Sequence, residues 1–136
     1  GTAMVEGENG KPTALIVTDN EELSETLTTC LTRKFDLIYA SPSIIDIRNQ
    51  VALNPELCLI ELDSSDQDQV RMMRKAGTLL PPGCVLMFFG MNFDDAFTQR
   101  LASLDYPKGI LIDLALKKKL MVFKQIQGFF EDRKPK

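Results

Sequence analysis

The chain contains no histidine. With no imidazole, histidine-based triads, histidine metal sites and the commonest general base are excluded together. Cysteine is scarce: Cys30, Cys58 and Cys84 make an odd count, no Cys-x-x-Cys pair exists, and each falls on an apolar position of its local pattern. They read as buried free thiols of a reducing, cytoplasmic compartment. Glycine is missing where phosphate cradles need it. No Gly-x-Gly-x-x-Gly follows the first apolar run, no Gly-x4-Gly-Lys-Ser/Thr occurs, and the turn at 17–20 holds no glycine. A backbone cradle for pyrophosphate is therefore not expected there. No Gly-x-Ser-x-Gly elbow is present either. No apolar run approaches the ~20 residues of a membrane span, and the polar start through Pro12 lacks a secretory leader pattern. A net charge of −3 argues against a nucleic-acid surface. Neither a membrane nor a nucleic acid is expected among the partners.

What is present is a rhythm. Five short apolar runs, Ala14–Thr18, Asp36–Ala40, Leu57–Leu62, Cys84–Phe89 and Gly109–Asp113, start 21 to 27 residues apart. Each is followed by a helix-like stretch. Strands alternating with helices predict a parallel sheet covered on both faces. A length of 136 residues, 44% hydrophobic and 26% charged, fits one folded domain. Residues 1–11 read as a flexible lead, with Gly1–Met4 a vector remnant. Residues 12–132 read as the domain, and 133–136 as a tail or linker start of a longer protein.

Periodicity assigns the helix faces. The first helix, about Glu21–Lys34, buries Leu23, Leu27, Cys30 and Leu31. The second is capped by Ser43 with Asp46, runs to about Leu53 and buries Ile44, Ile47 and Val51. The third, about Gln67–Leu79, aligns Val70, Met73, Ala76 and Leu80. The fourth, with Asn92 and Asp95 as its cap pair, aligns Phe93, Phe97, Leu101 and Leu104. The last, about Leu114–Asp132, shows two apolar stripes: Leu116, Leu120, Phe123 and Phe130, and an offset set of Val122, Ile126 and Phe129. The offset stripe is expected to contribute an interface patch. The Lys117–Lys119 cluster at this helix start opposes the helix dipole.

Acids gather at run ends: Asp19, Glu61 with Asp63, and Asp113. In sheets of this class the carboxyl ends of the strands carry the ligand site. If the first, third and fifth strands end on one rim, these carboxylates share an acidic crevice, an oxygen-rich setting that suits Mg²⁺ with Asp19 and Glu61 as candidate ligands.

Ala-Leu-Ile-Val-Thr-Asp-Asn-Glu-Glu-Leu (14–23) and Pro-Glu-Leu-Cys-Leu-Ile-Glu-Leu (55–62) resemble the opening and the phospho-acceptor strand of response-regulator receiver domains. The resemblance implies a three-layer α/β/α, flavodoxin-like sandwich with a five-stranded parallel sheet in the order 2-1-3-4-5. Receivers accept a phosphoryl group on aspartate with Mg²⁺. They use an acidic pair, an acceptor Asp, a switch Ser or Thr and a Lys. Carried over, the acidic pair falls on Thr18 and Asp19, the acceptor on Glu61, the switch hydroxyl on Phe88 or Phe89, and the lysine on Asp113. Lys108 lies five residues upstream of that position, about 16 Å along an extended strand, too far to replace it. The pattern implies a pseudo-receiver, without enzymatic activity or a required cofactor. It would act through a protein partner or output domain, or as a homodimer through the fourth helix, fifth strand and last helix. The rival expectations are an atypical receiver phosphorylated on Asp63 or Glu61, and a small-molecule-binding flavodoxin-like domain.

Overall fold

The computed structural model describes residues 10–63, 69–107 and 109–135, and of 69, 70, 72 and 73 only the backbone. The expected lead before residue 10, the loop residues 64–68, Lys108, Lys136 and the facing of Val70 and Met73 lie outside this range. The elements in chain order are β1 (Thr13–Val17), α1 (Glu21–Leu31), β2 (Asp36–Ala40), α2 (Ile44–Val51), β3 (Leu57–Glu61), α3 (Gln69–Leu79), β4 (Val85–Gly90), α4 (Asp95–Ser103), β5 (Leu111–Asp113) and α5 (Lys119–Arg133). All pairings are parallel and the sheet order is β2-β1-β3-β4-β5. The fold is the expected α/β/α sandwich. The order reverses between β1 and β3, so the crevice at a topological switch point falls at the ends of those two strands.

Burial explains why the apolar runs became strands. Ala14 to Val17, Leu57 to Ile60 and Met87 to Phe89 are all fully enclosed, as strands with helices on both faces must be. Right-handed crossovers put α1 and α5 on one face, where they pack together, and α2 to α4 on the other. Leu23, Leu27 and Leu31 fill the α1 side, and Phe35 meets Phe130 edge-on at 5.3 Å. Burying one such side chain contributes roughly 1.5–3 kcal/mol.

Three sequence expectations change. The fifth strand starts at Leu111 rather than Gly109, because Gly109 holds a positive φ of 85° that no strand uses. The fourth helix is capped by Asp94, whose carboxylate accepts from the Phe97 amide at 2.7 Å. Asn92 sits at φ 58° in the preceding turn. The last helix begins at Lys119, not Leu114.

The faces of this helix also differ from the expectation. Val122, Ile126 and Phe129, expected as an interface patch, are buried in the core together with Phe130. They sit at the i, i+4, i+7/i+8 spacing that faces the sheet, so they are unavailable to a partner. Leu116 and Leu120 are the exposed ones. Gln125 fixes the helix rotation by donating from Nε2 to the Gly109 and Leu111 carbonyls at 2.9 and 3.1 Å.

Candidate functional site

The carboxyl edge of the sheet divides into two halves. On the β1–β3 half, Thr18 follows β1 and continues its ladder by donating its amide to the Ala40 carbonyl at 3.1 Å. Its hydroxyl donates to Glu61 Oε1 and accepts from the Asn20 amide at 2.9 Å. Asn20 in turn caps α1, its Oδ1 accepting from the Leu23 amide at 3.1 Å. Such a cap is worth about 1 kcal/mol. The Thr-Asp-Asn triplet thus closes strand, turn and helix start with its own side chains. Glu61, half-buried at the end of β3, is drawn toward Thr18, while Asp19 and Asp63 are exposed beside it.

The β4–β5 half is closed differently. Asp113 does not offer its carboxylate to the crevice. Oδ1 accepts from the Asn92 and Ala115 amides at 3.0 Å each, and Oδ2 accepts from the Phe93 amide at 3.1 Å. A carboxylate taking three backbone N–H groups makes charge-assisted bonds, the stronger kind. Here the Asn92 and Phe93 bonds staple the loop between β4 and α4 to the end of β5, and the Ala115 bond closes the turn that follows β5. The Leu114 amide adds a third link by donating to the Gly90 carbonyl at 2.8 Å. Gly90 is required where it stands. A Cβ there would lie 2.6 Å from the Leu62 carbonyl oxygen and 2.5 Å from the Phe93 ring. That ring also stacks on Phe97, centroids 5.3 Å apart.

Strand register resolves the two candidate switch positions. Glu61 pairs with Phe89, and Gly90 pairs with Asp113. Phe89 is therefore the residue level with Glu61, and both Phe88 and Phe89 are buried core side chains. Phe88 meets Tyr106 edge-on at 6.1 Å. Two strand spacings, about 10 Å, separate the backbones of Glu61 and Asp113. The structure brings Thr18 to Glu61 and engages Asp113 elsewhere.

Among the described residues, no lysine or arginine pairs with Asp19, Glu61 or Asp113. No group of three or more Cys, Asp or Glu side chains among them could hold a metal ion. Mg²⁺ needs several oxygen ligands in near-octahedral array. With Asp113 turned to amides and one Glu61 oxygen taken by Thr18, the donors described here do not fit it. The thiols are equally quiet. Burial raises all three; Cys84, with Glu56 adding to the effect, is pushed up to about 12. Burial thus holds all three thiols toward their protonated form.

No family model and no curated protein matches the sequence. Solved structures do match in shape. A CpaE pilus assembly protein from Caulobacter crescentus superposes with TM-score 0.66 at 11% identity, over 92% of this chain and 95% of that one. A CheY-like response regulator from Mesorhizobium loti gives 0.62 at 10% identity, over 88% and 98%. The fold is receiver-like. A putative CpaE2 pilus assembly protein from Sinorhizobium meliloti agrees, with TM-score 0.60 at 12% identity over 86% and 98%. Identities this low carry the receiver-like scaffold and nothing of its chemistry.

Sequence reasoning missed the staple. Asp113 was legible as an acid at a strand end, but its partners are main-chain amides, two of them some twenty residues upstream and one two residues on, which no side-chain pattern reveals. The available signal was the pair Gly90 and Asn92, two turn-forming residues bracketing a position where the chain must bend sharply.

Proposed function

We propose that this domain is a non-catalytic, phosphorylation-independent receiver-like module that acts by protein–protein contact within a larger signalling or transcription-regulatory protein. The observation that carries the reading is Asp113. Where the receiver resemblance calls for a lysine, this chain has a carboxylate already satisfied by the Asn92, Phe93 and Ala115 amides. An arriving phosphoryl dianion would find like charge rather than an ammonium. The loop that a receiver would move in response is fastened without it. Phe89 has no hydroxyl with which to relay a charge change, and Glu61 already carries a hydrogen bond from Thr18. The three unpaired thiols suit a cytoplasmic setting. Two of the similar structures are named pilus assembly proteins, which supports membership of a multi-part assembly as readily as of a phosphorelay.

Incubation with acetyl phosphate and Mg²⁺, followed by intact mass, tests the reading. The expected spectrum is unchanged. A stoichiometric gain of one phosphoryl group, on Glu61 or Asp63, would establish the atypical-receiver alternative instead. A thermal-shift screen with nucleotides and flavin addresses the small-molecule alternative. Saturable stabilisation by one ligand would favour that class.

A further inference from the structure

The start of α5 is built against the rules that the other capped helices of the domain obey. Helices α1, α2 and α4 open on a side-chain cap, Asn20, Ser43 and Asp94, with an acid in the first turn. Helix α5 opens on Lys118, has no side-chain cap and has no acid in its first turn. Lys117, Lys118 and Lys119 crowd the positive end of its dipole, where cations are disfavoured. Among the described residues none of these, nor Lys124 one turn on, forms an ion pair; Lys117 donates to the Gln125 side chain. Among the described residues no acid pairs with this charge.

The same stretch is apolar as well as basic. All seven residues from Ala115 to Met121 are exposed, and Leu116, Leu120 and Met121 stand 79%, 62% and 53% open to solvent. Exposed apolar side chains interleaved with unpaired lysines make up a surface that wants both an apolar phase and anions. Lys117 lies in a bend, Lys118 has an extended backbone and only Lys119 is helical, so the three lysines do not form one helix stripe facing a groove. A fluid charged interface accommodates that arrangement more readily than a folded acidic protein, which must match it residue by residue. Lysine stems also lie along apolar surface while their ammonium groups reach outward.

We propose that Ala115–Lys124 is a peripheral docking surface for an anionic lipid bilayer, with Leu116, Leu120 and Met121 entering the headgroup boundary and Lys117, Lys118, Lys119 and Lys124 meeting lipid phosphates. The contact is interfacial. Among the described residues, no helix is long and apolar enough to cross a membrane, and none is required. The domain's net charge of −3 does not forbid it, because screening at physiological salt confines each charge to within about 8 Å. The proposal is independent of how the acidic edge handles phosphate, so either can fail alone.

The test is flotation of the whole chain with phosphatidylcholine vesicles, with and without phosphatidylglycerol, at low and high salt. Binding is expected only with phosphatidylglycerol and should weaken with salt. Lys117→Gln/Lys118→Gln/Lys119→Gln should lower it roughly a hundredfold, at about fivefold per lysine. Leu116→Ser/Leu120→Ser should lower it severalfold on the same vesicles. Both variants alter only exposed side chains, so an unchanged urea midpoint verifies their folding. Absence of binding, equal binding to both vesicle types, or full binding by both variants overturns the proposal. Binding of a leucine–glutamate amphipathic peptide without vesicle binding also overturns it, and assigns the surface to an acidic protein.

Discussion

The two halves of the carboxyl edge differ in how they are closed. On the β1–β3 side, contact runs from side chain to side chain, Thr18 to Glu61, in a half-buried setting beside exposed Asp19. On the β4–β5 side a carboxylate grips backbone, and a glycine admits the Leu62 carbonyl and the Phe93 ring at close range. The first arrangement can rearrange by rotating side chains. The second cannot loosen without breaking two main-chain bonds from the β4–α4 loop at once, one of them from the half-buried Phe93 amide. The difference teaches that on one receiver-like scaffold the two halves of a single sheet edge can be closed by different means, side chain to side chain and side chain to backbone.

Substitutions sharpen the contrast in order of effect. Ile126→Ala, in the stripe buried against the sheet, should lower stability by about 2–5 kcal/mol in urea titration without altering solution mass. A change of oligomeric state with little loss of stability would return that stripe to an interface. Asp113→Ala should cost about 1.5–3 kcal/mol, since three amides lose a charged acceptor. Asp113→Lys, which restores the residue type expected of a receiver, should cost more than Asp113→Ala. If Asp113→Lys were the more stable of the two, the staple would be refuted. Gly90→Ala should cost about 1–3 kcal/mol by overpacking. Thr18→Val, on the looser half, should cost about 0.5–1.5 kcal/mol. Equal losses on the two halves would erase the distinction drawn between them.

Alkaline pH gives a further, smaller effect. The Cys84 thiol has an unfolded value near 9.0 and a folded value near 12. An acid whose folded pKa is raised favours the native state below the unfolded pKa, and that contribution fades as pH climbs toward the folded value. Stability should therefore fall between about pH 9 and 12, and fall less in Cys84→Ala, as read from urea midpoints along the titration.

The sheet was readable from sequence because both faces are covered, which leaves near-continuous apolar runs such as Leu57–Ile60 that periodicity cannot mistake for loops. The caps Ser43 and Asn20 use local chemistry; the sequence marks Ser43 directly and Asn20 only through the acids that follow it. The start of α5 was misplaced because Leu114, Leu116 and Leu120 continue a helical pattern that the chain does not follow. The Asp113 carboxylate accepts from the Ala115 amide and the Asp113 carbonyl from the Leu116 amide, forming a turn first. Of the stripe read as core, Leu116 and Leu120 fall at or before the true helix start and are exposed, while Phe130 is buried beside Val122, Ile126 and Phe129. The acids of the candidate site were legible as residues, but not as a site. Their roles depend on which donors the fold delivers, and for Asp113 those donors are backbone.

Hydrogen exchange of the Asn92, Phe93 and Ala115 amides, with and without acetyl phosphate and Mg²⁺, probes the fastening itself. All three should be protected in the untreated domain and keep the same rates after treatment. Faster exchange at the Asn92 and Phe93 amides on treatment would contradict the account, because it would show the β4–α4 loop still answering to phosphate.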